Sequence, residues 1–290
     1  MTRTISAERC TQCGSCRIAC PMKIIESKEG RTTFTAEADD LCIFCGHCIA
    51  ACPTDSISIA SLDFSQFPRF TDPPTSFAAL HSLMLERRSV RVFQKTPVEK
   101  KDLDHILAAI ATAPAGMGAG PAPVCIINGR DKLDPMIPPM MEFYRKFQQG
   151  MKGFFSRLLM HAVLGNYRYA AMKRFMPLIE RMIDYYDRAH EDTLTWGAPL
   201  LLIFHAPRTS ISGEADCVIA CTYAMLAAQS LKLATTMIGM VPPYIEKTKE
   251  ERRRLGIPDD HAVVLSLIVG HPTMRFARGI QRPVTVTTAR

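Results

Sequence analysis

Several familiar signatures are missing from this sequence. It has no G-x-S-x-G elbow, no P-loop, no H-E-x-x-H pair and no G-x-G-x-x-G fingerprint. Nothing therefore points to a nucleophile-elbow hydrolase, a phosphate-loop NTPase, a zinc protease or a Rossmann dinucleotide site. An apolar leader is missing too: the chain opens MTRTISAERC, so no secretory signal is expected and a cytoplasmic location follows. Long apolar runs are scarce. The longest, Cys217 to Val241, is interrupted by Gln229, Ser230 and Lys232 and reads as a buried helix rather than a membrane span. The 16 Gly and 20 Pro follow no G-X-Y period, which excludes a collagen-like chain. A composition of 47% hydrophobic and 22% charged residues excludes intrinsic disorder. The net charge of +7 suits an anionic ligand but implies no nucleic acid, and none is expected as a partner. The 290 residues allow one large or two modest domains, at roughly 100–200 residues each.

What the chain does have is cysteine. Eight of its 11 cysteines fall within residues 10–52. In a reducing compartment disulfides are not their expected use. Cys10, Cys13, Cys16 and Cys20 follow C-x2-C-x2-C-x3-C and precede Pro21; Cys42, Cys45, Cys48 and Cys52 repeat that spacing and precede Pro53. Structural zinc needs four ligands, usually as two separated C-x2-C pairs, and does not fit these triple runs. The spacing points instead to two [4Fe–4S] clusters. Three closely spaced thiolates curl around one face of a cubane, and the fourth begins a short helix leading to the other cluster. One cluster is thus expected on Cys10, Cys13, Cys16 and Cys52, and the other on Cys42, Cys45, Cys48 and Cys20. Residues 1–62 resemble bacterial two-cluster ferredoxins, which implies single-electron transfer at low potential. With 6 basic and 7 acidic residues the segment is near neutral, whereas free ferredoxins are commonly acidic. A tethered module needs less charge for docking, because its partner is held at high effective concentration.

Residues 63–75, DFSQFPRFTDPPT, form a proline-containing linker. A helix is expected over 77–85, followed by Arg87-Arg88-Ser89-Val90-Arg91-Val92-Phe93. Three arginines and a serine within five residues make an anion site, since guanidinium groups bind phosphate bidentately. The other reading is a solvated basic helix end. A second helix follows over 100–113, with Leu103, Ile106, Leu107 and Ile110 at helical spacing. Ala113-Pro114-Ala115-Gly116-Met117-Gly118-Ala119-Gly120-Pro121 then makes a loop whose backbone can approach a flat ligand, and Val124–Ile127 is a short strand.

In this order of elements the chain resembles the nitroreductase-like FMN flavoproteins over roughly residues 76–135 and 190–285. Arg87 to Phe93 match the family's opening R-[RH]-S-x-[RK]-x-F motif. The resemblance implies that Arg87, Arg88, Ser89 and Arg91 contact FMN phosphate and ribityl, and that Pro114, Ala115 and Gly116 line the ring. The chain departs from the family at Gly118, Gly120, Pro121 and Ala122, where Asn and Gln-Pro-Trp usually stand. Further along, Trp196-Gly197-Ala198-Pro199 leads into a buried strand over Leu200–Phe204. A small-residue helix is expected over 216–233, with Lys232-Leu233-Ala234 at the family's G-L-G. Thr236-Met237-Ile238-Gly239 resembles the strand and turn that approach the flavin, so Ile238 and Gly239 join the FMN residues. Glu246–Leu255 reads as a charged surface helix and Val263–Val269 as a strand, before Gly270-His271-Pro272. Arg278 and Arg282, ahead of Arg275, are candidates to reach the FMN phosphate; the other reading is a solvated basic tail.

Residues 136–190 exceed a minimal version of this fold. They hold eight methionines, and residues 141–190 carry 9 basic against 4 acidic side chains. They read as a helical insertion broken near Gly165-Asn166, covering either the flavin site or a dimer surface. Ordinary core filling with a solvated basic face, or a basic amphipathic membrane-surface segment, are the other readings. Cys125, Cys217 and Cys221 are expected to be buried and structural; His161, His205 and His271 have no motif around them.

The expected fold is therefore α+β: an N-terminal two-cluster ferredoxin-type module over residues 1–62, then a nitroreductase-like α/β/α domain over 76–290. The expected function is an FMN-dependent oxidoreductase passing electrons from a low-potential donor, through two [4Fe–4S] clusters and FMN, to a small organic acceptor (nitroaromatic, quinone or enone). The donor is reduced ferredoxin or NAD(P)H, and the resemblance implies a homodimer. A non-catalytic electron-transfer or redox-sensing protein is the alternative.

Overall fold

The computed structural model describes residues 3–70, 75–116 and 120–288; the side chains of 65, 154–160, 163, 164 and 168 also lie outside the description. Part of the expected linker (71–74), Gly118 of the glycine-rich loop and the Met160 side chain are thus outside the described residues. The chain divides into two compact units, Met1–Thr75 with Ala115–Gly120, and Ser76–Pro114 with Pro121–Arg290.

The first unit is built on a repeat. Its elements are β1 (Arg3–Ile5), α1 (Ser15–Ala19), β2 (Ile25–Lys28), β3 (Arg31–Phe34), α2 (Ala38–Leu41), α3 (His47–Ala50) and β4 (Ile57–Ile59). β1 pairs antiparallel with β4, and β2 with β3. The β2–β3 turn is Glu29-Gly30, both at positive φ (50° and 73°), as a tight hairpin turn that follows strand twist requires. The core is small: Ile24, Ile25, Ile49, Ile57 and Ile59 pack with Cys16, Cys20 and Cys48. A core of this size rarely holds a fold without an added cross-link or metal group.

The second unit begins with α4 (Phe77–Glu86), capped by the Ser76 hydroxyl accepting from the Ala79 N–H, and α5 (Lys100–Ala111). Then come β5 (Val124–Asn128), α6 (Arg130–Leu133), α7 (Ile137–Lys152) and α8 (Phe154–Ala189), interrupted at Gly165 (φ 70°, ψ 169°). β6 (Leu200–Pro207), α9 (Gly213–Ser230), β7 (Ala234–Ile238), α10 (Val241–Lys247), α11 (Lys249–Arg254) and β8 (His261–Gly270) complete it. The sheet order is β5-β6-β8-β7, antiparallel throughout.

The unbroken apolar run of β6 is explained by helices on both faces. Leu200, Leu202 and Phe204 pack with Ile106, Ile110 and the small residues Ala220, Ala224 and Ala228 of α9. Leu201 and Ile203 point the other way, toward Met140, Met141, Tyr144, Ile179, Met182, Ile183 and Ile245. Alternation on a strand thus feeds two cores, and each fully buried Leu, Ile or Phe contributes roughly 1.5–3 kcal/mol. This is the expected three-layer arrangement. The 136–190 segment is half core: α7 and the second half of α8 form the helical layer on one sheet face, and the methionines there fill it. Gly270 ends β8 where a Cβ would stand 2.6 Å from Pro199 Cδ and 2.9 Å from Phe93 Cδ1, so only glycine fits.

The charged helix expected over 246–255 differs. It is two helices, because Thr248 is extended (φ −115°, ψ 94°), and it is not simply solvated. Arg252 is 4% exposed; its guanidinium donates to Pro258 O (2.9 Å) and to His261 O. Glu246 accepts from the Val263 N–H, Arg208 and Arg252. Burial opposes its ionisation, but these donors outweigh burial and hold its carboxyl below the usual range.

Candidate functional site

In the first unit the local backbone repeats with a period of 32 residues. Gln12 and Phe44, Gly14 and Gly46, and Lys23 and Asp55 are matched pairs at positive φ. Each C-x2-C-x2-C run thus carries two left-handed residues, which turn successive N–H groups toward a common centre. Gly14 and Gly46 are the N-caps of α1 and α3, and those helices carry Cys16 and Cys48 in their first turns. A Cβ on Gly46 would also lie 2.5 Å from the Phe67 ring.

This folding sorts the eight cysteines into two sets. Cys10, Cys13, Cys16 and Cys52 wall one small cavity, with Thr32, Thr54 and Ser56. Cys20, Cys42, Cys45 and Cys48 wall another, with Ile24, Phe34 and Ile59. α1 spans the exchange, since Cys16 belongs to the first set and its C-cap, Cys20, to the second. The sulfur environments differ. Burial pushes the Cys48 thiol up to about 11, and burial likewise raises Cys16. The Ser15 hydroxyl and N–H hold Cys13 below its usual range. Burial also opposes ionisation of Cys52, yet its thiol is lowered, because donors including the Ser56 N–H, 3.3 Å from Sγ, outweigh it. Each set presents four soft ligands around a cavity, which fits an iron–sulfur cluster.

In the second unit the Arg87–Phe93 segment leaves α4 and joins the sheet edge. Ser89 bridges Thr235 of β7 in parallel, the Val90 N–H donates to Thr235 O (3.1 Å), and the Thr236 hydroxyl donates to Val90 O (2.5 Å). Phe93 pairs with Pro272, and the Gln94 N–H donates to His271 O at 2.8 Å. The end of α4, the end of α9 and the tail after β8 line an open cavity of about 460 Å³. Arg88, Lys232, Arg275 and Arg278 line it, against one carboxylate, Glu86.

Arg88 donates to Leu85 O at 2.6 Å, which satisfies the end of α4, but its buried Nε has no partner among the described residues. Beside it, burial and then the Arg88 charge lower the pKa of Arg87, the signature of cations gathered without a counter-ion. A buried orphan donor in a cation-lined cavity fits a phosphate-bearing ligand such as FMN.

The structure thus gathers three of the expected residues, Arg88, Arg275 and Arg278, and adds Lys232. Lys232 was missed by sequence reasoning. Its signal is a non-glycine at φ 61° where the resembled family has glycine, an arrangement that turns the chain back after α9. Arg87, Ser89, Arg91, Ile238, Gly239 and Arg282 do not line this cavity. Arg91 lies over the Trp196 ring, 5.9 Å from its centroid. Ile238 is buried at the end of β7, Gly239 is exposed beside it, and Arg282 is exposed in the tail. Pro114 ends its segment of the second unit, while Ala115 and Gly116 group with the first.

Of the remaining candidates, Cys217 and Cys221 are fully buried and burial pushes both thiols up to about 12, so they are core residues. Cys125 is half-buried, 3.5 Å from Leu255 O. His161 is exposed and meets Tyr169 edge-on.

Residues 9–57 match the 4Fe-4S dicluster domain. No curated protein matches the chain. Among solved structures, a nitroreductase with bound FMN from Bacteroides fragilis is similar at 19% identity and a TM-score of 0.55, covering 73% of this chain and 98% of that one. A nitroreductase with bound FMN from Desulfitobacterium hafniense is 21% identical, with a TM-score of 0.53 and the same coverage. An FMN-dependent nitroreductase from Clostridium difficile is 17% identical, with a TM-score of 0.52, covering 72% of this chain and 98% of that one. At these identities the likeness establishes the fold. Residues 84–271, more than half of the chain, match the nitroreductase family, and the chain belongs to that family.

Proposed function

We propose that the protein is an FMN-dependent oxidoreductase in which electrons from a low-potential donor pass through two [4Fe–4S] clusters to FMN and on to a small organic acceptor, a nitroaromatic, quinone or enone. Reduced ferredoxin or NAD(P)H is the donor. The observation that carries this reading is the presence, on one chain, of two four-thiol cavities and one cation-walled cavity. When bound, the clusters supply one-electron transfer, and the flavin collects two electrons and delivers hydride.

The chain's own residues bind, orient and set charge. Cys10, Cys13, Cys16 and Cys52 hold one cluster; Cys42, Cys45, Cys48 and Cys20 hold the other. The Ser56 N–H donates toward Cys52 and favours its thiolate form. Arg88 and Arg278, with Lys232 and Arg275, hold the FMN phosphate. Arg87, Ser89, Arg91 and Arg282 complete the polar contacts, and Pro114, Ile238 and Gly239 line the ring. The excess of positive charge favours an anionic ligand without any protein proton being moved. A homodimer is part of the reading. It is supported by α4, which buries none of its residues and exposes Phe77, Leu80 and Met84.

The test is an anaerobic reductive titration with iron and flavin quantified together. About eight irons and one FMN per chain are expected, with reduced clusters reoxidised when a nitroaromatic acceptor is added. Iron without flavin would overturn the reading of the second unit. Full loading with electron flow only to a protein partner would favour a relay over an enzyme.

A further inference from the structure

The chain's positive charge is concentrated in one place. Residues 143–179 contain Arg145, Lys146, Lys152, Arg157, Arg168, Lys173 and Arg174 and not one Asp or Glu, a net of +7 that equals the charge of the whole protein. Arg145 and Lys146 reach back to Glu142, and Arg145 also to Asp187. Lys152, Lys173 and Arg174 are exposed and take part in none of the ion pairs among the described residues.

The same stretch is unusually apolar for a basic surface. Its sequence places Phe154, Phe155, Leu158, Leu159 and Ala162 at i, i+1, i+4, i+5 and i+8, the periodicity of an amphipathic helix. Among the described residues, α8 first buries a side chain at Ile179, where it joins the sheet core. Ahead of that point Tyr167 is 93% exposed, Phe175 is 41% exposed, and Leu178 is 55% exposed. The interruption at Gly165 separates the first part of α8 from the part that packs on the core. No helix among the described residues is long and apolar enough to cross a membrane.

A helical segment with aromatic and aliphatic residues, many Lys and Arg and no acid has the composition that lies in a lipid interface rather than across it. We propose that the α7–α8 surface docks the protein on an anionic bilayer, with Lys152, Lys173 and Arg174 at the phosphate level and Tyr167 and Phe175 in the headgroup region. Charge complementarity identifies the occupant. A run of cations without acid, interleaved with exposed aromatic and aliphatic side chains, matches a surface that is anionic at its headgroups and apolar beneath them, as anionic lipid is.

Flotation of the full-length, cluster-loaded protein tests this. The vesicles are phosphatidylcholine alone, or phosphatidylcholine mixed equally with phosphatidylglycerol. Binding is expected to the anionic vesicles only, and to weaken as salt rises. Lys173→Glu with Arg174→Glu should reduce it roughly tenfold or more, and Tyr167→Ser with Phe175→Ser by a smaller factor. All four positions are exposed, and a far-ultraviolet circular dichroism spectrum and thermal midpoint unchanged from the parent will confirm that these variants fold. Equal binding to both vesicles, no binding to either, or binding unchanged by the charge reversal would each overturn the proposal. No flotation, together with slower reduction of the Lys173→Glu, Arg174→Glu variant by a free acidic ferredoxin, would assign the surface to a protein partner instead.

Discussion

His205 and His261 face each other Nδ1 to Nδ1 at 2.8 Å, where β6 resumes its pairing with β8 after the bulge between Phe204 and His205. Only one ring can donate in such a contact, so both Nδ1 atoms cannot be protonated at once without breaking it. Burial first, then the charges of His261 and Arg252, lower His205 to about 4.

This sets a pH dependence. The native state keeps His205 neutral down to about pH 4, whereas the unfolded chain binds that proton below about 6.5. The contribution is full above pH 6.5 and is lost as pH falls toward 4, about 3 kcal/mol in all. Urea unfolding of the parent and of His205→Phe, compared at about pH 7 and about pH 5, should show the parent losing about 2 kcal/mol more than the variant. Equal losses would mean that His205 titrates normally in the native state.

Cys52 stands with the first cysteine run and Cys20 with the second. Cys13→Ala and Cys52→Ala should therefore damage the same centre, and Cys45→Ala and Cys20→Ala the other. Electron paramagnetic resonance of the reduced variants should give two matched pairs of spectra. If Cys20→Ala resembled Cys13→Ala instead, each run would hold its own cluster.

Arg88 and Arg278 share a cavity that Arg87 and Arg91 do not line. Arg88→Ala with Arg278→Ala should weaken FMN binding by roughly 100-fold or more, as two charge-assisted hydrogen bonds are worth about 1.5–3 kcal/mol each. Arg87→Ala with Arg91→Ala should also release FMN. Iron content should stay at the parent level in both. Stoichiometric FMN retained in the first variant would remove the phosphate from this cavity.

Gly14 and Gly46 occupy equivalent positions at φ 76° and 73°, but only Gly46 lies under an aromatic ring. Gly14→Ala should cost about 1 kcal/mol from backbone strain alone. Gly46→Ala should cost roughly 2–4 kcal/mol, because the Phe67 ring must move as well. Thermal loss of cluster absorbance will rank them, and Phe67→Leu should restore part of the Gly46→Ala loss. Equal midpoints for the two glycine variants would contradict the contact.

Much of the fold could be read locally. The expected helices over 77–85, 100–113 and 216–233 and the strands at Val124, Leu200 and Val263 are present within a few residues of their expected ends. Periodicity and turn chemistry are local, so sequence carries them. The helix expected over 246–255 is broken at Thr248, and its Glu246 and Arg252 are drawn inward by Val263 and His261 of β8, partners distant in sequence that local charge patterning does not report.

The cysteine spacing by itself determined the kind of cofactor the first unit is built for, and the Arg87–Phe93 motif and element order determined the family. Tertiary structure alone decided which cations share a cavity. Arg88, Lys232, Arg275 and Arg278 come from the ends of two helices and from the tail, brought together by the pairing of Ser89 with β7 and of Phe93 with Pro272. It also decided that the methionine-rich segment is core in one half and exposed in the other, because burial depends on what packs against a face and not on the face itself.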